Sequence, residues 1–169
     1  MLPYARALNT LRKLESDFQA AARNDDRIFA CKLATLEACG WIEESFDLVF
    51  YKFSLRRISS LSAQSDLRTM VNKNFGFHFD KHIRKNILTP LLGCILAEVF
   101  ESKLDAALLI PMKASLGTLK LERDKLAHTY TKGVTPNINS PTVTIGHFNT
   151  VRQGLGDFET KLLSARLKI

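Results

Sequence analysis

One periodicity runs through almost all of this 169-residue chain, and it is helical. Apolar side chains recur three and four positions apart, which gathers them on one stripe of a helix and leaves its other faces polar. Over about 26–55 the stripe is Leu36, Cys39, position 43, Phe46, Phe50 and Phe53. Over about 105–130 it is Leu109, Met112, Leu116, Leu119, position 123, Leu126 and Tyr130, with Pro111 marking a break or a fresh start. Over about 144–167 it is Phe148, Val151, Leu155, Phe158 and Leu162. A first helix is expected over about 2–22, with Asn24, Asp25 and Asp26 ending it and capping the next. A short helix is expected near 64–71 after a serine-rich turn, and a longer one over about 81–103, capped by Asp80 and bent at Pro90. The segment 131–144, with Gly133, Pro136, Asn137, Asn139 and Pro141, reads as a long surface loop. Strand patterns are weak, and no repeat or linker divides the chain. The expectation is a single all-α domain over 1–169, a bundle of about five to six helices.

Composition narrows the function classes. Hydrophobic residues make up 46% of the chain, enough for a true core. The net charge is +7, which favours a polyanionic partner without choosing between nucleic acid and an acidic protein. The basic residues are spread along the chain and form no tail. Cys31, Cys39 and Cys94 contain no Cys-x-x-Cys pair and lie in apolar helical settings, as buried reduced thiols of a cytoplasmic protein would. No signal-peptide pattern opens the chain, and the greasiest stretch, 91–100, is interrupted by Glu98 and too short to span a bilayer. His78 and His82 flank Asp80 but have no third ligand nearby in sequence, so no metal and no cofactor is expected. His147 is expected near the start of the last helix and exposed, and Trp41 in the core or at an interface.

Two stripes each carry one wrong residue. Glu43 and Arg123 fall where the spacing calls for an apolar side chain. A buried charge is costly unless paired and hydrogen-bonded, so the economical arrangement sets them against each other across two packed helices. Glu44 shares a face with Glu37, Gly40 and Asp47 and reads as solvated. A pair that merely fixes helix register would need nothing more, yet the next turn adds Asp124 and His128, spaced i, i+4 on one face. Arg123 and His128 are five residues apart, about 140° around a helix and about 7.5 Å along it. They flank a common edge where a phosphate could meet a guanidinium fork and an imidazole.

These residues carry a resemblance. Arg123-Asp124-Lys125-Leu126-Ala127-His128 resembles the Arg-x4-His motif of HEPN domains, small all-helical modules, with Asp124 as the polar residue that habitually follows the Arg. Gly40-Trp41-Ile42-Glu43 is similar to the Gly-x-x-Glu segment of the RiboL-PSP-HEPN branch, and the helix order fits over most of the chain. The resemblance implies a metal-independent endoribonuclease acting on RNA as a homodimer with a composite site, often a toxin or anti-phage defence effector. It implies His128 as acid or base, Arg123 as the group that stabilises phosphate charge, Asp124 orienting His128, and Glu43 holding Arg123. His128-Thr129-Tyr130 extends the motif to the form found in toxins paired with a nucleotidyltransferase antitoxin, which modifies the Tyr; Tyr130 also fits the apolar stripe as plain core. Two other classes stay open: a non-catalytic HEPN module binding a partner protein or nucleotide, and a basic nucleic-acid-binding adaptor.

Overall fold

The structure, a computed structural model, describes residues 1–128 and 137–165, with residues 127 and 128 described as helix only. Seven α-helices and one π-helix make up the described part, and no strand occurs among the described residues. In chain order they are α1 (Ala5–Ala20), α2 (Asn24–Arg57), α3 (Leu61–Asn72), π1 (Phe79–Leu88), α4 (Thr89–Leu92), α5 (Cys94–Glu101), α6 (Ala106–His128) and α7 (Pro141–Ser164). The all-α class is as the periodicity predicts, and the helix count exceeds five to six because the 81–103 region is subdivided.

The subdivision has a local cause. His78, not Asp80, caps π1, its ring accepting from the Lys81 N–H at 3.4 Å. Pro90 falls where π1 passes into α4. It lies in the first turn of α4, where a missing N–H goes unnoticed. The break falls at Gly93, whose φ of +77° only glycine adopts readily, and α5 starts directly after it. Pro111 lies inside α6 without ending it. α3 begins earlier than expected because the Ser60 hydroxyl caps it, accepting from the Ala63 N–H. α7 likewise begins at Pro141: Ser140 is the cap and Pro141 stands in the first turn. Asp25 and Asp26 fall in the first turn of α2 and Arg56 and Arg57 in its last, charges that complement the helix dipole.

Four helices form the frame. α1 runs antiparallel to α7, tied by Thr142 to Glu15 at 2.7 Å and by the Met1 ammonium to Glu159 at 2.6 Å. α2 runs parallel to α7, with Trp41 on Phe148 at 4.7 Å between ring centroids and Lys52 on Glu159 at 2.9 Å. α6 runs antiparallel to α7. Their backbones approach closely at Gly154, where a Cβ would lie 2.7 Å from that of Met112. One contiguous apolar core joins α1, α2, π1, α6 and α7. Its densest part surrounds Phe158, which meets Phe46, Phe50, Phe79 and Phe100 edge-on at centroid distances of 5.2–6.2 Å.

Three expectations about side chains need correction. Leu36 is exposed because it looks away from the frame towards solvent, and the small residues Ala30, Cys31, Ala34 and Ala38 form the buried side of α2 before Cys39. Cys31 and Cys39 are buried, but Cys94 is exposed, since the break at Gly93 turns the start of α5 outward. His147 is half-buried in the second turn of α7, its Nδ1 3.1 Å from the Ser115 hydroxyl, because that helix starts earlier than the sequence suggests. Trp41 is core, as expected. No described helix is long and apolar enough to cross a membrane.

Candidate functional site

The site grows from the crossing of α2 and α6. Cys39 packs against the Leu119 carbonyl, its Sγ 3.8 Å from the oxygen. Burial pushes its thiol up to about 12, so it is inert filling at the base of the site. One turn further along each helix, Arg123 Nη1 donates to Glu43 Oε1 at 2.5 Å, the pairing that the two interrupted stripes imply. The pair lies at the margin of the core and not within it: the Arg123 side chain is 25% exposed and that of Glu43 35%. Water still reaches both groups, so the stability they contribute is modest, about 1 kcal/mol or less.

Two further groups hold Arg123. Its guanidinium lies over the Phe77 ring, 5.1 Å from the centroid, and Nη2 is 3.4 Å from Asp124 Oδ1. Burial alone would lower its pKa, but the Glu43 carboxylate, by charge and by hydrogen bond, outweighs that and raises it. Asp124 takes Lys120 on its other oxygen, and that hydrogen bond, with the Lys120 and Arg123 charges, keeps its carboxyl below the usual range. Asp124 therefore faces Lys120 and Arg123. Its expected partner, His128, ends α6, and the imidazole lies outside the described side chains. Tyr130 lies outside the described residues.

Several groups that periodicity did not single out gather around the pair. Asp47, expected to be solvated, is half-buried. Burial, then the charges of Glu43 and Glu44, push its carboxyl up to about 6. It shares with Glu43 a cavity of about 200 Å³, closed by Val71, Asn72 and Asn74 at the end of α3 and by Phe75 and Gly76 of the following loop. Gly76 has φ +117°, and a Cβ there would strike the His82 ring at 2.6 Å, so both the backbone and the space demand glycine. His82 is buried on π1 and its Nδ1 accepts from the His78 N–H at 3.1 Å. Burial lowers its pKa, and the Lys81, Lys120, His78 and Arg123 charges lower it further, which favours the neutral ring. Glu122, beside Arg123, is buried and turned the other way. It accepts from Lys125 at 3.0 Å and from the Asn139 N–H at 3.4 Å, tying α6 to the approach to α7. The one sequence signal for this group was the Asn74-Phe75-Gly76-Phe77-His78-Phe79 run, where a glycine interrupts aromatics between helices.

Among the described residues no group of three or more His, Cys, Asp or Glu side chains is placed to hold a metal ion. His78 and His82 are neighbours, 6.4 Å between ring centroids and edge-on, each engaged by the backbone of the 78–82 turn. Compared with protein-family models, with curated proteins and with solved structures, the chain matches none.

The arrangement is a guanidinium held by Glu43, Phe77 and Asp124 yet still partly exposed, on a helix that reaches His128 five residues on. An acid–base network clamps it from below. Such a set suits an anion that offers two oxygens side by side to the guanidinium fork, as a phosphodiester does.

Proposed function

We propose that this protein is a metal-independent endoribonuclease of the HEPN type, a toxin or anti-phage defence effector that cleaves cellular RNA as a homodimer. The observation that carries the reading is Arg123, held by Glu43 and Phe77 and still 25% exposed, about 1.4 turns before His128. A pair needed only for helix register would not require the aromatic support, the Asp124–Lys120 brace and a histidine at the helix end.

The chemistry follows from the groups. The ribose 2′-hydroxyl attacks the adjacent phosphorus, the O2′–P bond forms, and the P–O5′ bond breaks to leave a 2′,3′-cyclic phosphate and a 5′-hydroxyl. His128 takes the 2′ proton or supplies the proton to the departing 5′ oxygen, and a second His128 from the paired copy fills the other role. Arg123 offers its open donors to the phosphate oxygens as charge builds on them. Glu43 and Phe77 keep the fork from turning away. Tyr130, two residues beyond His128, is where a nucleotidyltransferase antitoxin would silence the site by adding a nucleotide beside it.

Total cellular RNA incubated with the native protein in EDTA tests the reading. Cleavage that persists in chelator, leaves cyclic-phosphate ends, and falls by about 10²- to 10⁴-fold in His128→Ala is the expected result. Intact RNA after incubation with the native protein, or cleavage that His128→Ala leaves unchanged, would refute it and favour a non-catalytic binding module.

A further inference from the structure

The cavity beside Glu43 has a lining that fits one class of ligand. Phe75 stands at its rim with 86% of its surface exposed, an aromatic face for which the fold itself has no use. An exposed ring at the mouth of a polar pocket is the usual platform on which proteins stack an unpaired base. Val71, Phe46 and Ile83 give the cavity an apolar floor.

Its polar groups are sorted by kind. The Asn72 amide oxygen accepts from the Tyr51 hydroxyl at 2.6 Å, and the Asn74 amide oxygen accepts from Asn86 Nδ2 at 2.9 Å. Each amide has its oxygen committed and its NH₂ left to donate. Asp47 makes no hydrogen bond or ion pair among the described residues and, ionised, accepts only. Besides Glu43, which is committed to Arg123, the cavity thus offers two donors and a carboxylate acceptor. Guanine presents the complement: acceptors at O6 and N7, donors at N1–H and the 2-amino group, the latter two spaced for one carboxylate. Adenine, cytosine and uracil each lack part of that set.

We propose that this cavity is a base-binding subsite that takes a guanine from the RNA, stacked on Phe75 and read by Asp47, Asn72 and Asn74. The proposal rests on the ribonuclease reading and gives it a specificity. Glu43 links the two, because it lines the cavity and holds Arg123, so a base seated there brings its own phosphate towards the guanidinium. Asp47 is at odds with its surroundings, since a half-buried carboxylate beside two others is a cost to folding that a ligand's donors would relieve.

The test is calorimetric titration of the whole protein with the 3′-monophosphates of guanosine, inosine, adenosine, cytidine and uridine, none of which is cleaved. Guanosine 3′-monophosphate is expected to bind at least about tenfold tighter than the adenosine, cytidine and uridine forms. Inosine, which lacks the 2-amino group, should fall between. Phe75→Ala, at an exposed position that leaves the fold intact, should weaken guanosine binding by about tenfold or more. Asp47→Asn should erase the gap between guanosine and inosine. Equal affinity for all five, no binding by the native protein, or unaltered binding in both variants would overturn the proposal. Cleavage without base preference would then leave the nuclease standing alone. Guanosine-selective binding without cleavage would keep the subsite and remove the nuclease.

Discussion

Two pairs of side chains on neighbouring turns of α2 behave in opposite ways. Phe46 and Phe50 point into the aromatic cluster around Phe158, where every ring is buried and meets a neighbour edge-on. Glu43 meets Arg123 of α6, and with Asp47 it lines a cavity of about 200 Å³ against the end of α3 and the 74–76 loop, where charges are half-buried and one carboxyl is pushed up to about 6. The first region is filled to the density of an interior, and its side chains have no task but packing. The second keeps polar groups where packing alone would favour leucine. Natural sequences tolerate such local conflicts where a site demands them and compensate elsewhere, and here the Phe158 cluster is the compensation.

Stability measurements separate the regions. Phe158→Ala should cost about 3–5 kcal/mol in urea unfolding, since it empties a fully buried ring site and removes four aromatic contacts at once. A loss near 1 kcal/mol would mean that the cluster is not the anchor of the fold.

Asp47→Asn should have the opposite sign. The carboxyl binds its proton more tightly in the folded chain, at about 6, than at its ordinary value of 3.8. Its ionisation therefore destabilises the fold, by nothing below about pH 4, increasingly between pH 4 and 6, and fully above. The substitution should gain about 1–2 kcal/mol at pH 8, allowing for partial exposure, and nothing at pH 4. Equal effects at both pH values would show that Asp47 is solvated after all, and the contrast between the two regions would weaken.

The smallest effect is chemical. A thiol reagent should label Cys94 rapidly in the native protein and leave Cys31 and Cys39 unmodified until the chain unfolds, because both are buried and burial raises both thiols. Fast labelling of Cys39 would mean that the α2–α6 crossing opens.

How much of this was legible follows from what sets each feature. Helical periodicity is a property of neighbours three and four apart, so the helices and most of their core faces read directly from the stripes. The Glu43–Arg123 pair was legible too, since each residue interrupts a stripe and charges at core positions need partners. Helix ends depend on single caps that periodicity does not mark: His78 and not Asp80 caps π1, Ser140 caps α7 ahead of Thr144, and Gly93 divides the 81–103 region. The cavity was not legible. Asp47 of α2 meets Asn72 and Phe75, at and just past the end of α3, only in the tertiary fold, and no spacing along the chain encodes that meeting. The same holds for Phe77 beneath Arg123 and for His82 against Gly76.

The measurement that bears most directly on the central claim is a paired one on Arg123→Met: the rate of RNA cleavage in EDTA, and the free energy of unfolding, under the same conditions. The side chain keeps its bulk over Phe77 and loses its charge. The account predicts a cleavage rate lower by 10²-fold or more, with the free energy of unfolding changed by no more than about 1 kcal/mol, because the half-exposed pair stabilises little and the guanidinium serves the phosphate. Unchanged cleavage together with a loss of several kcal/mol would contradict it: Arg123 would then be holding two helices together and nothing more.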